Sequence, residues 1–175
     1  MTYFAGSGAR HNEARKSRYP RTLFTARAVA ATLLFAGVVK ASLSDIKQNS
    51  FVGVTAMPQH DGSPSAVEVH IFPESMRGSG EGSYPWDLQP QSTMTNANVE
   101  QVGSAVNGRT LTSKYKDGEK KITVPANTPV VSYVPGDKSD IKPGAKAFVV
   151  AVKQPDGTMQ GRAWRVGKDG VTPPM

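Results

Sequence analysis

The side chains best suited to bind a metal ion lie between residues 60 and 74. His60 precedes an Asp61-Gly62 turn, Glu68 and His70 alternate along the apolar segment that follows, and Glu74 comes just after it. Residues two apart in a strand share one face, and imidazole with carboxylate suits zinc, copper or nickel. The pattern predicts a metal site with the ligands His70, Glu74, Glu68 and His60. The competing interpretation is a half-buried strand histidine and an unrelated turn histidine, because a zinc site needs three or four converging ligands.

Catalytic signatures are absent from the sequence. The chain has no cysteine, which removes disulfides, thiolate metal sites and a cysteine nucleophile. A Ser-His-Asp arrangement would have to use His60 or His70, and no nucleophile-elbow motif accompanies them. The glycines at 78–82 are not followed by Gly-Lys-Ser/Thr, so they do not form a phosphate loop. We therefore predict a protein that is not an enzyme and has no cofactor, with a divalent transition metal as the alternative.

Residues 73–97 form the second candidate site, a contact loop. A long segment rich in glycine, proline and aromatic residues is often functional. The predicted contact residues are Arg77, Glu81, Tyr84, Trp86, Asp87 and Met94. This composition predicts a non-enzymatic binding or scaffolding protein that meets another protein or a component of the cell envelope. The alternative is a linker whose Trp86 and Met94 pack over the mouth of a barrel.

Short β-strands must position both sites. Asn107-Gly108, Asp117-Gly118 and Asp156-Gly157 are tight-turn pairs between segments of alternating hydrophobicity. The strands predicted from these segments cover 98–106, 110–116, 120–124, 130–134, 145–152 and 158–166. Closure would remove the exposed edges of such strands. We therefore expect an all-β protein with a six-stranded, OB-like barrel over 98–168 and a tail over 169–175.

The first half of the chain contains a partial echo of the second. Ser44-Asp45-Ile46-Lys47 recurs as Ser139-Asp140-Ile141-Lys142, and Asp61-Gly62 falls where Asp156-Gly157 does. An internal repeat of this kind indicates a duplicated module. We expect a partial copy of the barrel over 34–72, preceded by a disordered or helical segment over 1–33.

Positive charge is concentrated at the N-terminus. The formal net charge is +7, but residues 1–41 hold seven basic side chains against Glu13, which leaves +1 for the rest. A nearly neutral body lacks the basic footprint that nucleic acids require, so we expect no nucleic-acid partner.

The apolar stretch at 28–39 supports two interpretations. It follows a basic segment and precedes Ala41 and Ser42, the outline of a secretory signal peptide, and it is too short for a membrane span. This predicts an exported or periplasmic protein that starts near Ser42. The repeat instead predicts a strand over Phe35–Val39, with a misassigned start and a cytoplasmic location.

The stretch from Val67 to Gly82, with Pro85-Trp86-Asp87 and Ser92 to Ala97, resembles a group of small exported proteobacterial proteins of unknown function. That group is built from OB-like β-barrel modules, and some members carry a metal-transporter permease label. The resemblance implies an OB-like fold and export. It runs from about Gly37 to Met175, and at Ser83 the chain departs from the histidine of the group, which removes one candidate ligand.

Overall fold

The protein is all-β, as predicted, in a computed structural model that describes residues 2–6 and 34–174. The strands are β1 Thr2–Gly6, β2 Leu34–Ala41, β3 Phe51–Pro58, β4 Pro64–Ile71, β5 Gly82–Pro85, β6 Thr93–Ala105, β7 Gly108–Tyr115, β8 Gly118–Pro125, β9 Val130–Pro135, β10 Ala147–Lys153 and β11 Met159–Gly167. Single turns of 3-10 helix cover Leu43–Asp45, Glu74–Met76 and Lys138–Asp140. Within the described residues, no helix has the length and hydrophobicity needed to cross a membrane.

Five strands close into a barrel in the order β4-β3-β6-β7-β8. Neighbours along this path are antiparallel, and β8 returns to β4 in parallel, where Ser65 lies opposite Thr123. The β6–β7 turn requires Gly108, which has a φ of 140° and would bring an added Cβ to 2.1 Å from the Val124 carbonyl oxygen. Alternation of side chains then places one apolar row of each strand inside.

The barrel interior is a single apolar cluster. It contains Ile46, Val52, Val54, Ala56, Ala66, Val69, Val99, Leu111, Ile122, Val124 and Val130. Burial of these side chains stabilises the fold by roughly 1.5 to 3 kcal/mol for each large residue. A second cluster of Ala36, Val38, Val131 and Tyr133 lies outside the ring, where β2 and β9 continue the sheet.

The closed ring differs from the six-stranded barrel predicted over 98–168. All six strands predicted there are present, but only β6, β7 and β8 enter the ring, and β3 and β4 complete it. The strands β9, β2, β11, β10 and β1 extend the sheet from β4. Hydrophobic alternation specifies which face of a strand is buried, whereas the choice of neighbour depends on contacts across the whole chain.

The N-terminal predictions are only partly covered by the described residues. Thr2–Gly6 is a strand paired with β10, which corrects the expectation of disorder or helix for those residues, while 7–33 lie outside the described residues. Residues 34–41 form a strand between β11 and β9, as the repeat predicted. The signal-peptide interpretation remains a prediction.

Candidate functional site

A buried polar network lies on the outer face of β3 and β4. Thr55 Oγ1 donates a hydrogen bond of 2.8 Å to Glu68 Oε1, and His70 Nε2 lies 3.4 Å from the same oxygen. Glu68 and His70 are 6% and 4% exposed. A buried carboxylate is costly unless it has such partners, so these contacts are needed to keep Glu68 inside.

Tyr133 continues the network from the neighbouring strand. Its hydroxyl lies 2.8 Å from His70 Nδ1, and the two rings meet edge to face with centroids 5.5 Å apart. Burial raises the pKa of Tyr133 to about 12, against a smaller lowering by Arg165, so the phenol is protonated at neutral pH. If this hydroxyl donates to Nδ1, the hydrogen of a neutral imidazole is on Nε2 and faces Glu68.

Arg165 closes the network on its far side. Its guanidinium carbon lies 4.9 Å from the centre of the Tyr133 ring, a cation–π distance. The network therefore joins β3 and β4 to β9 and β11, and its contact between His70 and Tyr133 links residues 63 positions apart in the chain.

The topology brings these side chains together. Glu68 and His70 alternate on β4, Thr55 lies opposite Glu68, and β9 runs parallel to β4 with Val131 opposite His70. Tyr133 lies two residues further along β9 on the same face. The sequence singled out Glu68 and His70 but gave no sign of Thr55, Tyr133 or Arg165, because their proximity depends on strand neighbours.

The other two predicted metal ligands do not join the network. His60 is exposed in the β3–β4 turn, and exposed Glu74 pairs with Arg77, with Oε1 2.6 Å from Nε and Oε2 2.7 Å from Nη2. Hydrogen bonding to Arg77 lowers the pKa of the Glu74 carboxyl. Among the described residues, no group of three or more His, Cys, Asp and Glu side chains could hold a metal ion. The structure thus brings together Glu68 and His70 alone of the four.

Residues 93–97, predicted as the end of the contact loop, belong to the barrel strand β6, and side chains fasten the rest of the loop, 73–92, to the barrel. Asn96 Nδ2 donates to the Gly80 carbonyl oxygen at 3.1 Å and the Tyr84 hydroxyl at 3.1 Å. Arg77 bonds the Asn98 side chain and the Asn49 carbonyl oxygen. Glu81 Oε1 accepts the Lys116 backbone N–H at 3.0 Å. These bonds fix both the beginning and the middle of the loop.

Strand β5 and the turn after it present the aromatic residues. Tyr84 and Trp86 meet edge to face at 6.1 Å. Ser92 holds the backbone of the turn in place, because its hydroxyl donates to the Trp86 carbonyl oxygen at 2.8 Å. Trp86 is half-buried and Asp87 is exposed. Met94, in contrast, is buried on β6, with its sulfur 3.9 Å from Thr55 Oγ1, so it lies beside the polar network and not at the surface.

An open depression of about 700 Å³ lies between the end of β2 and the β8–β9 connection. Its walls are largely apolar or uncharged, and Lys40 is the charged side chain that lines it. Pockets that bind small molecules combine apolar walls with several converging polar groups. This depression also has polar lining residues, but the Ser42 hydroxyl is bonded to Ser44 and Asp45 and the Thr128 hydroxyl to the Ala66 carbonyl oxygen. These groups serve the fold, and the depression does not indicate a specific ligand.

Comparison of the chain with protein-family models, with curated proteins and with solved structures finds no match.

Proposed function

We propose that this protein is a non-enzymatic binding or scaffolding protein of the cell envelope that meets its partner through the contact loop. The observation that carries the proposal is the attachment of that loop. Asn96, Arg77 and Glu81 hold it against the barrel, although β5 lies outside the closed ring. A loop held in one conformation loses little entropy when it binds.

The half-buried aromatic pair of the loop and exposed Asp87 have the chemistry of a protein contact. The Tyr84–Trp86 pair is a rigid aromatic anchor with exposed Asp87 beside it. Tryptophan and tyrosine are enriched among the residues that dominate binding energy. The buried network on β4 serves the fold in this proposal, because Glu68, His70 and Tyr133 are enclosed.

OB-like character and export belong to the same proposal. β3 pairs with β4 and β6, β6 with β7, β7 with β8, and β8 returns in parallel to β4. The same cycle of pairings occurs in an OB barrel, a five-stranded Greek-key barrel, when the chain enters at a different strand. The resemblance noted in the sequence supports export to the periplasm or beyond.

The test is crosslinking capture from envelope extracts with the full chain and two variants. Trp86→Ala with Asp87→Ala alters the contact loop, and Val106→Ser is the control because Val106 is fully exposed on the distant β6–β7 turn. We expect the double variant to lose the captured band, with a melting temperature within a few degrees of the parent. Equal capture by all three proteins would contradict the proposal, and so would a collapse of stability in the double variant.

Binding of a divalent transition metal by His70 and Glu68 is the second candidate function. The separation of 3.4 Å between Nε2 and Oε1 is close to the edge of a zinc tetrahedron with bonds of about 2.0 to 2.1 Å. Among the described residues, Nε2 has no hydrogen-bond partner. Metal binding there requires the other tautomer, in which Nδ1–H donates to the Tyr133 hydroxyl oxygen 2.8 Å away, as ligating histidines donate to outer-shell groups in metal sites.

Equilibrium dialysis against zinc distinguishes this candidate from the first. His70→Ala should abolish binding at micromolar metal, whereas His60→Ala, at an exposed turn position, should leave it unchanged. Zinc binding that is absent from the parent chain, or equal in both variants, would exclude the pair as a metal site.

A further inference from the structure

Two segments of the chain have the same strand register at a constant spacing of 95 residues. All seven residue pairs between β3 and β4 recur between β10 and β11, for example Thr55 with Glu68 as Val150 with Ala163. The β-bulge recurs too, at Thr55/Ala56 and at Val150/Ala151. A bulge shifts the pairing register by one residue, so its recurrence at the equivalent position is strong evidence that the two hairpins have the same structure.

The local structure around these strands agrees at the same spacing. Asp61 Oδ1 accepts from the Ser63 N–H at 2.9 Å and hydroxyl at 2.6 Å, and Asp156 Oδ1 accepts from Thr158 at the same two distances. The 3-10 turns at Leu43–Asp45 and Lys138–Asp140 both begin with a capping box.

Pairing between the two segments is reciprocal. β4 runs parallel to β9 with Val69 opposite Val130, and β11 runs parallel to β2 with Trp164 opposite Phe35. Adding 95 to the number of Val69 gives Trp164, and subtracting 95 from that of Val130 gives Phe35, so the first pair converts into the second. β2 and β9 pair antiparallel with Val38 opposite Tyr133, two positions that are themselves 95 apart. This is the pattern of an isologous interface, with a pseudo-two-fold axis at Val38 and Tyr133.

The strands that flank each hairpin come from the other segment. β6 pairs with β3 so that Thr95 lies opposite Val54, and β1 pairs with β10 so that Phe4 lies opposite Val149. Val54 and Val149 are 95 residues apart, whereas Thr95 and Phe4 are 91 apart, so the flanking strands occupy equivalent places but lie four residues out of the repeat. The closed barrel consequently joins β3 and β4 from the first part of the chain to β6, β7 and β8 from the second.

The polar network marks where the two segments differ. Thr55, Glu68 and His70 correspond to Val150, Ala163 and Arg165, and Tyr133 corresponds to Val38. Tyr133, near the axis, touches His70 on one side and Arg165 on the other. Pairing of two like segments would place either two arginines or two carboxylate–histidine pairs around the axis.

We propose that the chain is two copies of one module, joined in tandem, and that the interface which each module offers through β2 or β9 is built to bind a second copy of the same module. Each copy supplies strands to the sheet of the other. The first module pairs with the second in preference to a copy of itself. This selectivity comes from the polar network, which opposes the Glu68 carboxylate to the Arg165 guanidinium across the axis, with His70 and Tyr133 between them.

The equivalence of the positions is tested by moving the network across the axis in the full chain. The half-swap carries Thr55→Val, Glu68→Ala, His70→Arg and Tyr133→Val. The full swap adds Val150→Thr, Ala163→Glu, Arg165→His and Val38→Tyr. We expect the half-swap to lower the urea midpoint clearly and the full swap to recover at least half of that loss. A full swap no more stable than the half-swap would overturn the equivalence.

The exchange of strands is tested by cleavage. A protease site placed at the exposed residues 89–91 allows the folded chain to be cut between the modules. We expect both fragments to remain one complex of the parent mass in native mass spectrometry, and to part only in urea. Fragments that separate without denaturant would overturn the exchange.

The released C-terminal fragment then tests whether one module can bind a second copy of itself. Refolded alone, it should form a homodimer, and Ala163→Glu with Arg165→His should lower the dimer dissociation constant at least tenfold, because each copy then offers a Glu–His pair to the partner's Tyr133. Lys121→Glu with Gln101→His, at exposed positions of β8 and β6 and with the same change in charge, is the matched control. A monomeric fragment, or an equal effect of graft and control, would refute the pairing. If the fragment does not refold, the full-chain swap decides.

Discussion

Tyr133→Phe removes the hydroxyl that lies 2.8 Å from His70 Nδ1 and leaves a ring of nearly the same shape. The apolar contacts of Tyr133 with Phe72, whose ring centroid is 5.1 Å away, are retained. The imidazole nitrogen stays buried without its partner, because His70 is 4% exposed. Leaving a buried polar atom unsatisfied costs about 1 to 3 kcal/mol. For a chain of this size that is a fall in melting temperature of roughly 2 to 12 °C.

Urea unfolding followed by tryptophan fluorescence measures this change, with equal slopes required for a valid comparison. Tyr84→Phe is the matched control. The Tyr84 hydroxyl also has a protein partner at 3.1 Å, Asn96 Nδ2, but that amide keeps the Ser79 and Gly80 carbonyl oxygens. We expect the control to lose less than about 1 kcal/mol. A loss in Tyr133→Phe no larger than in Tyr84→Phe would show that the network adds nothing to stability.

Three further predictions follow from single features. The pKa of Tyr133 is raised by burial to about 12 in the folded protein from about 10 in the unfolded chain; its contribution, up to about 2 to 3 kcal/mol, is fully present below pH 10 and is lost as the pH rises to 12. Alkaline unfolding curves should therefore be flatter over that window in Tyr133→Phe, and identical curves would contradict the assignment. Gly108→Ala should destabilise more than Gly62→Ala in thermal melts: both glycines have positive φ, but a Cβ at 108 meets the Val124 carbonyl oxygen and one at 62 meets nothing within 4 Å, so equal losses would count against the turn geometry. The two N-terminal interpretations give different intact masses for protein from the native envelope: removal of a signal peptide gives a start near Ser42, whereas pairing of β2, residues 34–41, with β11 and β9 requires those residues to be retained. A start near Ser42 would therefore contradict the place of β2 in the sheet.

The sequence alone predicted the all-β class and the individual strands from Asn98 onward. Alternating side chains and the Asn107-Gly108, Asp117-Gly118 and Asp156-Gly157 turns are local signals, and each acts within about ten residues. The spacing of Glu68 and His70 likewise predicted that they share a face, and their atoms lie 3.4 Å apart. The contact loop was predicted as a segment because its composition differs from that of the strands around it.

Only the tertiary structure decided which strands are neighbours. β8 meets β4 and β9 meets β4 from the other side, contacts over more than fifty residues that no local pattern encodes. The same choice brings Tyr133 and Arg165 to His70, leaves Glu74 with Arg77 and buries Met94 beside Thr55. A strand exposes the same hydrogen-bonding groups at either edge, so its partner is selected by the packing of whole faces, and that selection is made only when the chain folds.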